Sequence, residues 1–412
     1  MTVGDLGEFG LIAAIAARLP RGARTVIGVG DDAAVLATPD GRVVATTDLL
    51  IEARHFRRDW SGPADIGGKA AARNLADVAA MGATPIALLV GLATPADLPV
   101  AWAQDLVSGI VAECARTGAT VVGGDVSSAD TIMLAATALG DLAGREPVTR
   151  AGARPGDLLA VAGVLGHSAA GLALLRAGLA EPAALVTAYR WPRPPYHAGP
   201  EAAALGATSM IDISDGLVAD TGHVAEASGV LIDIDTARLA PGGDLLAAAA
   251  RLDASGPAGP TDPAGLTDSA APGGSARPGE SARSGGSARS GEPTGVGQPV
   301  GPGQAFGPEE SAGPEESAGP RESAGPGEPA GAGGLPGAGA SAGPGDSAEP
   351  EGLSRPLVWM LTGGEDHALV ATFPPGTVLP AHWTVIGQVR QGRGVRVDGQ
   401  VFLGRPGWDH FI

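Results

Sequence analysis

Aspartate recurs in this sequence beside glycine, serine or threonine, at positions that the surrounding pattern marks as strand ends and loops. Gly28-Val29-Gly30-Asp31-Asp32 follows a Val- and Thr-rich run, and Thr46-Thr47-Asp48 ends the next. Asn74 and Asp77 stand three apart, which places both on one face of a helix. Gly123-Gly124-Asp125, Asp212-Ile213-Ser214-Asp215-Gly216 and Gly363-Gly364-Glu365-Asp366 complete the set. These residue types suit Mg²⁺, a hard cation that takes one or two carboxylates and fills its remaining positions with water and substrate phosphate. Glycines beside the carboxylates let a phosphate approach the backbone closely. Gathering so many carboxylates around phosphates requires on the order of three or more divalent cations, at one or two carboxylates each. Such a site fits phosphoryl transfer, in which the protein contributes positioning and charge neutralisation rather than covalent chemistry.

Any one aspartate beside glycine is an ordinary turn residue. The recurrence of the pattern at several element ends carries the reading. Successive side chains of a strand point to opposite faces, so only one of Asp31 and Asp32 is expected to reach a metal. Asp233 and Asp235 share a strand face but have no glycine neighbours, and read as surface or turn residues. Other chemistries lack their motifs. Gly67-Gly68-Lys69-Ala70 has neither the first glycine nor the hydroxyl of a phosphate-binding P-loop. No Rossmann glycine fingerprint follows the first strand, and no Cys/His zinc pattern or EF-hand loop is present. Lys69 is the only lysine in the chain, so arginine and metal must meet any phosphate charge.

The elements that would position these residues alternate between strand and helix. Strands are expected over 25–30, 42–47, 84–93, 119–123, 131–139, 158–162, 208–213, 230–235, 357–361 and 368–373. Helices are expected over 64–82, 97–117, 168–178, 180–206 and 217–228. The apolar stretch Leu11–Ala17 reads as an amphipathic helix, because acidic Asp5 and Glu8 precede it where a signal peptide would be basic. The fold class is α/β, with a first domain over 1–150 and a second over 151–253 plus 356–412. Between the parts of the second domain, residues 254–355 are Gly, Pro, Ser, Ala and Glu in short repeats, with too few large apolar side chains to offset ordering entropy. This insert is expected to be disordered, and loop-closure cost rises slowly enough with length for the domain to tolerate it.

The chain has 412 residues, 44% of them hydrophobic but only 3% aromatic, so its core must rest on Ala, Val, Leu and Ile. Its formal charge of −18 opposes nucleic-acid binding. The single cysteine, Cys114, excludes an intramolecular disulfide and fits a reducing compartment. No apolar run reaches the roughly 20 residues of a membrane span. A soluble, cytoplasmic protein is expected.

Taken in order, the motifs closely resemble the thiamine-monophosphate kinase family, within the aminoimidazole-ribonucleotide synthetase-like superfamily. The matching text is Gly28–Ala33, Thr47-Asp48, His55-Phe56, Asn74–Ala83, Gly123–Asp125, Thr149–Asp157, Ile213–Leu217, Gly363–Asp366 and Gly407–Phe411. It covers the whole chain except the insert. The resemblance implies a two-domain fold whose N-terminal sheets pair across a homodimer, with a C-terminal α/β domain. It implies direct in-line transfer of the ATP γ-phosphoryl group onto thiamine monophosphate. By motif, Asp32, Thr47, Asp48, Asp77, Asp125, Asp212 and Asp215 would hold several Mg²⁺ ions, with Thr46 beside them. Gly124, Asp125, Arg150 and Ser214 would contact ATP, and Asp125, Asp212 and Arg150 would serve the transfer itself. His55, Glu365 and Trp408 would contact the thiamine moiety. One alternative is another phosphate-activating synthetase of the superfamily. Its selenium-transferring members would usually show a reactive Cys near the N-terminus, and its hydrogenase-maturation members would end in Cys, whereas Cys114 lies in an expected helix. The other alternative, a non-catalytic binding protein, would be expected to have lost the motif aspartates.

Overall fold

The computed structural model describes residues 1–20, 22–27, 35–255 and 352–407. Asp31, Asp32, Trp408 and most of the expected insert therefore lie outside the described residues. Helix α1 (Val3–Ala16) begins at Thr2, whose Oγ1 accepts the Asp5 N–H at 3.1 Å while the Asp5 carboxylate accepts the Thr2 N–H at 2.8 Å. That reciprocal cap satisfies two amide donors that the helix cannot. The short strands β1 (Thr25–Ile27) and β2 (Val35–Leu36) pair antiparallel. Strand β3 (Val44–Ile51) follows, then helix α2 (Pro63–Ala80). Pro63 starts α2 where a missing N–H costs nothing, and Asp65 accepts the Gly62 N–H at 3.0 Å.

Strand β4 (Thr84–Thr94), helix α3 (Val100–Ala115), strand β5 (Thr120–Ser128) and strand β6 (Met133–Asp141) complete the first layer. The four long strands form a sheet in the order β3-β6-β4-β5, with β4 and β5 parallel and the other pairs antiparallel. Helices α2 and α3 cross closely. A Cβ on Gly67 would strike the Leu106 carbonyl, and one on Gly109 would strike that of Ala64.

The chain then forms β7 (Leu158–Ala162), α4 (His167–Arg176), α5 (Ala183–Arg190), α6 (Ala198–Ala204), β8 (Ser209–Asp212), α7 (Leu217–Ser228), β9 (Leu231–Ile234) and α8 (Gly243–Ala254). After the insert come α9 (Arg355–Thr362), β10 (Leu369–Phe373), β11 (Trp383–Arg390), β12 (Gly394–Val397) and β13 (Gln400–Val401). A seven-stranded sheet has the order β13-β12-β9-β11-β7-β10-β8, with β9 and β12 parallel and its other pairs antiparallel.

Both faces of this second sheet are covered at its strands β7, β8 and β10. Ala160, Ala162, Met210, Leu369, Ala371 and Phe373 join the core built on α2 and the first sheet. Leu159, Val161, Ile211 and Val370 face the other way, into a core shared with α4, α7 and α8. Burial on both sides explains why these strands read as unbroken apolar runs rather than alternating ones.

Two expectations are corrected. The expected strand over 357–361 is part of helix α9, whose Pro356 sits in the first turn and whose buried Pro356, Met360 and Leu361 follow a helical spacing. The single helix expected over 180–206 is two, α5 and α6, because Pro192, Pro194 and Pro195 cannot continue a helical ladder. Strands β11 to β13 add to the expected elements.

Candidate active site

One stripe of α2 carries the chemistry. Lys69, Arg73 and Asp77 recur every four residues, and Asn74 lies beside them, so all four meet on one side of the helix. Strand β3 presents its alternate residues to this stripe. Thr46 Oγ1 donates to Asp77 at 2.8 Å, and the Asp48 N–H donates to Asn74 Oδ1 at 3.1 Å. Asn74 is fixed in turn by donating to the Ala70 carbonyl at 2.9 Å.

The second wall comes from the ends of β8 and β10. These strands are paired with Leu369 opposite Asp212. Met210 and Asp212 share a face of β8, and Met210 is turned toward the α2 core, so Asp212 emerges toward α2 as well. The loops beyond the two strands lie backbone to backbone. A Cβ on Gly364 would strike the Ser214 carbonyl, which accepts the Glu365 N–H at 2.8 Å. Glu365 and His367 adopt positive φ values of 68° and 53°, an uncommon conformation for residues with a side chain. The intervening Asp366 pins this strained turn by accepting the N–H groups of Gly166 at 2.5 Å and Ser168 at 2.7 Å.

The two walls meet through charge. Glu365 lies 2.9 Å from Lys69 Nζ and accepts from Arg73 Nη1 at 3.1 Å. Lys69 is buried, donates to the Tyr189 carbonyl at 3.1 Å and stands 4.3 Å from the centre of the Tyr189 ring. Burial pulls the Lys69 ammonium below its ordinary pKa, against the attraction of Glu365. Burial likewise pushes Glu365 up, but Arg73 and Lys69 outweigh it and hold the carboxyl well below the usual carboxylate range. His367 Nδ1 lies 3.0 Å from Asp212. Burial opposes the charge of that imidazole, yet the Asp212 hydrogen bond and charge raise its pKa. Asp77 is pushed up to about 7, first by burial and then by the negative charges of Asp212 and Asp48. Three carboxylates from α2, β3 and β8 therefore crowd one another, which a bound cation would relieve. Their hard oxygen donors fit Mg²⁺.

Asp48, Asp77, Asp212 and Glu365 thus converge, with Thr46 on their edge. Ser214 and Asp215 occupy the adjoining loop. Asp215 gathers with Asp220 and His223 so that one ligand atom of each lies within 4.8 Å of the others. Asp220 also accepts the N–H groups of Asp215 and Gly216, both at 3.0 Å, and its carboxyl is pushed up to about 7 by burial and then by Asp212. His55 follows β3, with its Nδ1 accepting the Ile51 N–H at 3.0 Å.

Other expected residues stand apart. Thr47 projects from the opposite face of β3 to Thr46, donating to the Ala136 carbonyl at 3.0 Å and accepting from Thr137 Oγ1 at 3.0 Å. Gly124 and Asp125 lie on β5, the edge of the four-stranded sheet farthest from Asp48. They rim an apolar cavity of about 70 Å³ closed by Ile12 and Ile15 of α1 and by Leu19 just after it. The Arg150 side chain is exposed on the connector before β7, and its carbonyl accepts the Ser228 hydroxyl at 2.9 Å. The reading of the sequence did not single out Arg73, His367 or Asp220 as site residues, nor Lys69 as a partner of Glu365. The four-residue spacing of Lys69, Arg73 and Asp77 was the available signal.

A family profile, AIR synthase related protein, N-terminal domain, matches residues 30–142. A thiamine-monophosphate kinase of Mycobacterium tuberculosis is 38% identical over 411 residues, covering 100% of this chain and 93% of that protein. A thiamine-monophosphate kinase of Corynebacterium glutamicum is 43% identical over 257 residues, covering 60% of this chain and 76% of its own. The solved structure of AaThiL complexed with AMPPCP and TMP superposes with a TM-score of 0.62 at 27% identity, covering 100% of this chain and 99% of that one.

Proposed function

The chain belongs to the thiamine-monophosphate kinase family, and from that premise we infer that it phosphorylates thiamine monophosphate with ATP as co-substrate, in thiamine diphosphate biosynthesis. The observation that carries the reading onto this molecule is the convergence of Asp48, Asp77 and Asp212 from three distant segments, where burial first and the two neighbouring negative charges second push the Asp77 carboxyl up to about 7. In the transfer, the bond between the γ-phosphorus and the β,γ-bridging oxygen breaks. A bond forms from that phosphorus to an oxygen of the substrate phosphate, leaving ADP and thiamine diphosphate.

We propose that Asp48, Asp77, Asp212 and Asp215 hold Mg²⁺, more than one ion per site, with Thr46 beside them, and that Asp32, Asp125 and, from the opposite face of β3, Thr47 complete the set. Bound there, Mg²⁺ would neutralise phosphate charge as the phosphoryl group moves. The chain's own residues do the positioning. Asn74 orients the β3 backbone at Asp48, Thr46 steadies Asp77, and His367 holds Asp212. Gly124, Arg150 and Ser214 are the proposed ATP contacts, Arg150 offering a permanent planar charge. His55, Glu365 and Trp408 are the proposed contacts of the thiamine moiety. Glu365 is kept ionised by Lys69 and Arg73.

A homodimer is part of the same proposal. Asp48 and Asp125 lie on opposite edge strands of one sheet, roughly 14 Å apart at three strand spacings, so a second copy could complete the set. The connector between β6 and β7 is the proposed boundary between two domains. Among the described residues no helix is long and apolar enough to cross a membrane, and a cytoplasmic location is proposed.

The test is incubation with Mg²⁺, ATP and thiamine monophosphate, with products separated by chromatography and Asp125→Ala run alongside. ADP and thiamine diphosphate should form in equal amounts, with a large loss in the variant. A folded, ATP-binding protein that makes no thiamine diphosphate would overturn the substrate assignment.

A further inference from the structure

Arg73 does more than keep Glu365 ionised, because it sits where the two walls meet. Its Nη1 donates to Glu365 at 3.1 Å, and its Nε lies 3.7 Å from Asp48 Oδ2. The residue is only 8% exposed. Its Nε is buried with no hydrogen-bond partner, an arrangement that costs stability unless charge compensates for it. The compensation is visible. Burial disfavours the guanidinium charge, but Glu365, Asp48, Asp77 and Asp212 together more than reverse that. One fixed positive charge thus serves four carboxylates drawn from both walls.

We propose that Arg73 is a built-in counter-cation of the carboxylate cluster, holding it together before metal arrives and competing with Mg²⁺ for the same negative charge. The proposal rests on the reading of Asp48, Asp77 and Asp212 as the Mg²⁺ site. Arginine suits the task because it stays protonated when buried and spreads its charge over a planar fork. A divalent cation entering beside Asp48 would meet this charge at short range in a poorly screened setting, where repulsion is strong. Arg73 would therefore tune metal affinity downward while protecting the metal-free fold, as a positioning residue rather than a catalytic one.

The experiment uses the full chain stripped of metal with EDTA and titrated with MgCl₂ alone, without nucleotide or thiamine monophosphate. Binding is read by calorimetry and the melting midpoint by scanning. Arg73→Met should bind Mg²⁺ about tenfold or more tightly than wild type, as removal of a nearby like charge requires. Its metal-free midpoint should fall, so that its rise on adding Mg²⁺ exceeds that of wild type. Arg73→Lys should restore wild-type affinity by restoring the charge. If Arg73→Met does not fold, Arg73→Gln replaces it in the same comparison. Equal or weaker Mg²⁺ binding by the neutral variant overturns the role of Arg73 and leaves the metal site standing. An absence of Mg²⁺ binding in every protein, wild type included, overturns the proposal, because no metal then competes with Arg73 at the bare carboxylates, while the turnover assay still tests the phosphate-bound metal site.

Discussion

The two walls of the site hold their carboxylates by different means. On the α2 and β3 side, Asp48 and Asp77 are fixed by regular elements, whose periods of two and of three to four residues set where each side chain points. On the β8 and β10 side, Glu365 and His367 are fixed by a turn in which both hold positive φ. That turn persists because Asp366 is anchored on the start of α4 and Glu365 is gripped by Lys69 and Arg73. A wall made of elements is set by local sequence. A wall made of a strained turn is set by what surrounds it, and the first wall supplies part of those surroundings.

The contrast can be broken by substitution. The largest effect is expected from Asp212→Ala, which removes the carboxylate that faces the α2 wall from the second sheet. Turnover should drop about 10³-fold, on the scale of losing a principal stabiliser of transition-state charge. A drop of less than tenfold would place Asp212 outside the chemistry.

Next in size is a pH effect belonging to the element wall. The Asp77 carboxyl ordinarily titrates near 3.8 and is pushed up to about 7 in the folded protein. The folded state then binds the proton more tightly than the unfolded state. Stability from this group is present at low pH and is lost as the pH rises toward about 7. The EDTA-treated protein should melt several degrees lower at about pH 8 than at about pH 5, and Asp77→Asn should shrink the difference. A difference unchanged in Asp77→Asn would assign the titration elsewhere.

Lys69→Met tests the tie between the walls. It leaves Glu365 with Arg73 alone, and denaturant unfolding should show a loss of about 2 kcal/mol, below the range for a fully buried pair because Glu365 keeps some exposure. The smallest effect belongs to the strained turn. His367→Val should cost about 1.5 kcal/mol more than His367→Asn in the same assay, because asparagine tolerates positive φ and a β-branched residue does not. Equal losses would show that the turn depends on the imidazole contact with Asp212 rather than on backbone conformation.

The same contrast governs what could be read from the sequence. The three-residue spacing of Asn74 and Asp77 was legible because helix geometry is local, and both residues do face β3. The helices and strands with strong patterns were legible for the same reason, as α7 and β7 show. Arg73 and Glu365 are 292 residues apart, and their pairing depends on how the end of β10 meets α2, which no local period encodes. His367 was hidden for that reason too, being adjacent to a motif and unremarkable in type. The strand expected over 357–361 failed because an apolar run of that length suits a strand or a buried helix equally, and Pro356 decided for the helix.

One detail of the element wall reaches into laboratory practice. Lys69 is the only lysine in 412 residues, and the fold seals its amine at 2% exposure beneath Glu365 and Tyr189. Reagents that acylate side-chain amines have a single target, and they reach it only when the two walls part. The rate of that labelling, followed by mass spectrometry with no competing lysine, would time the opening of the Glu365 pocket directly. A ligand that bridges the walls would slow the clock.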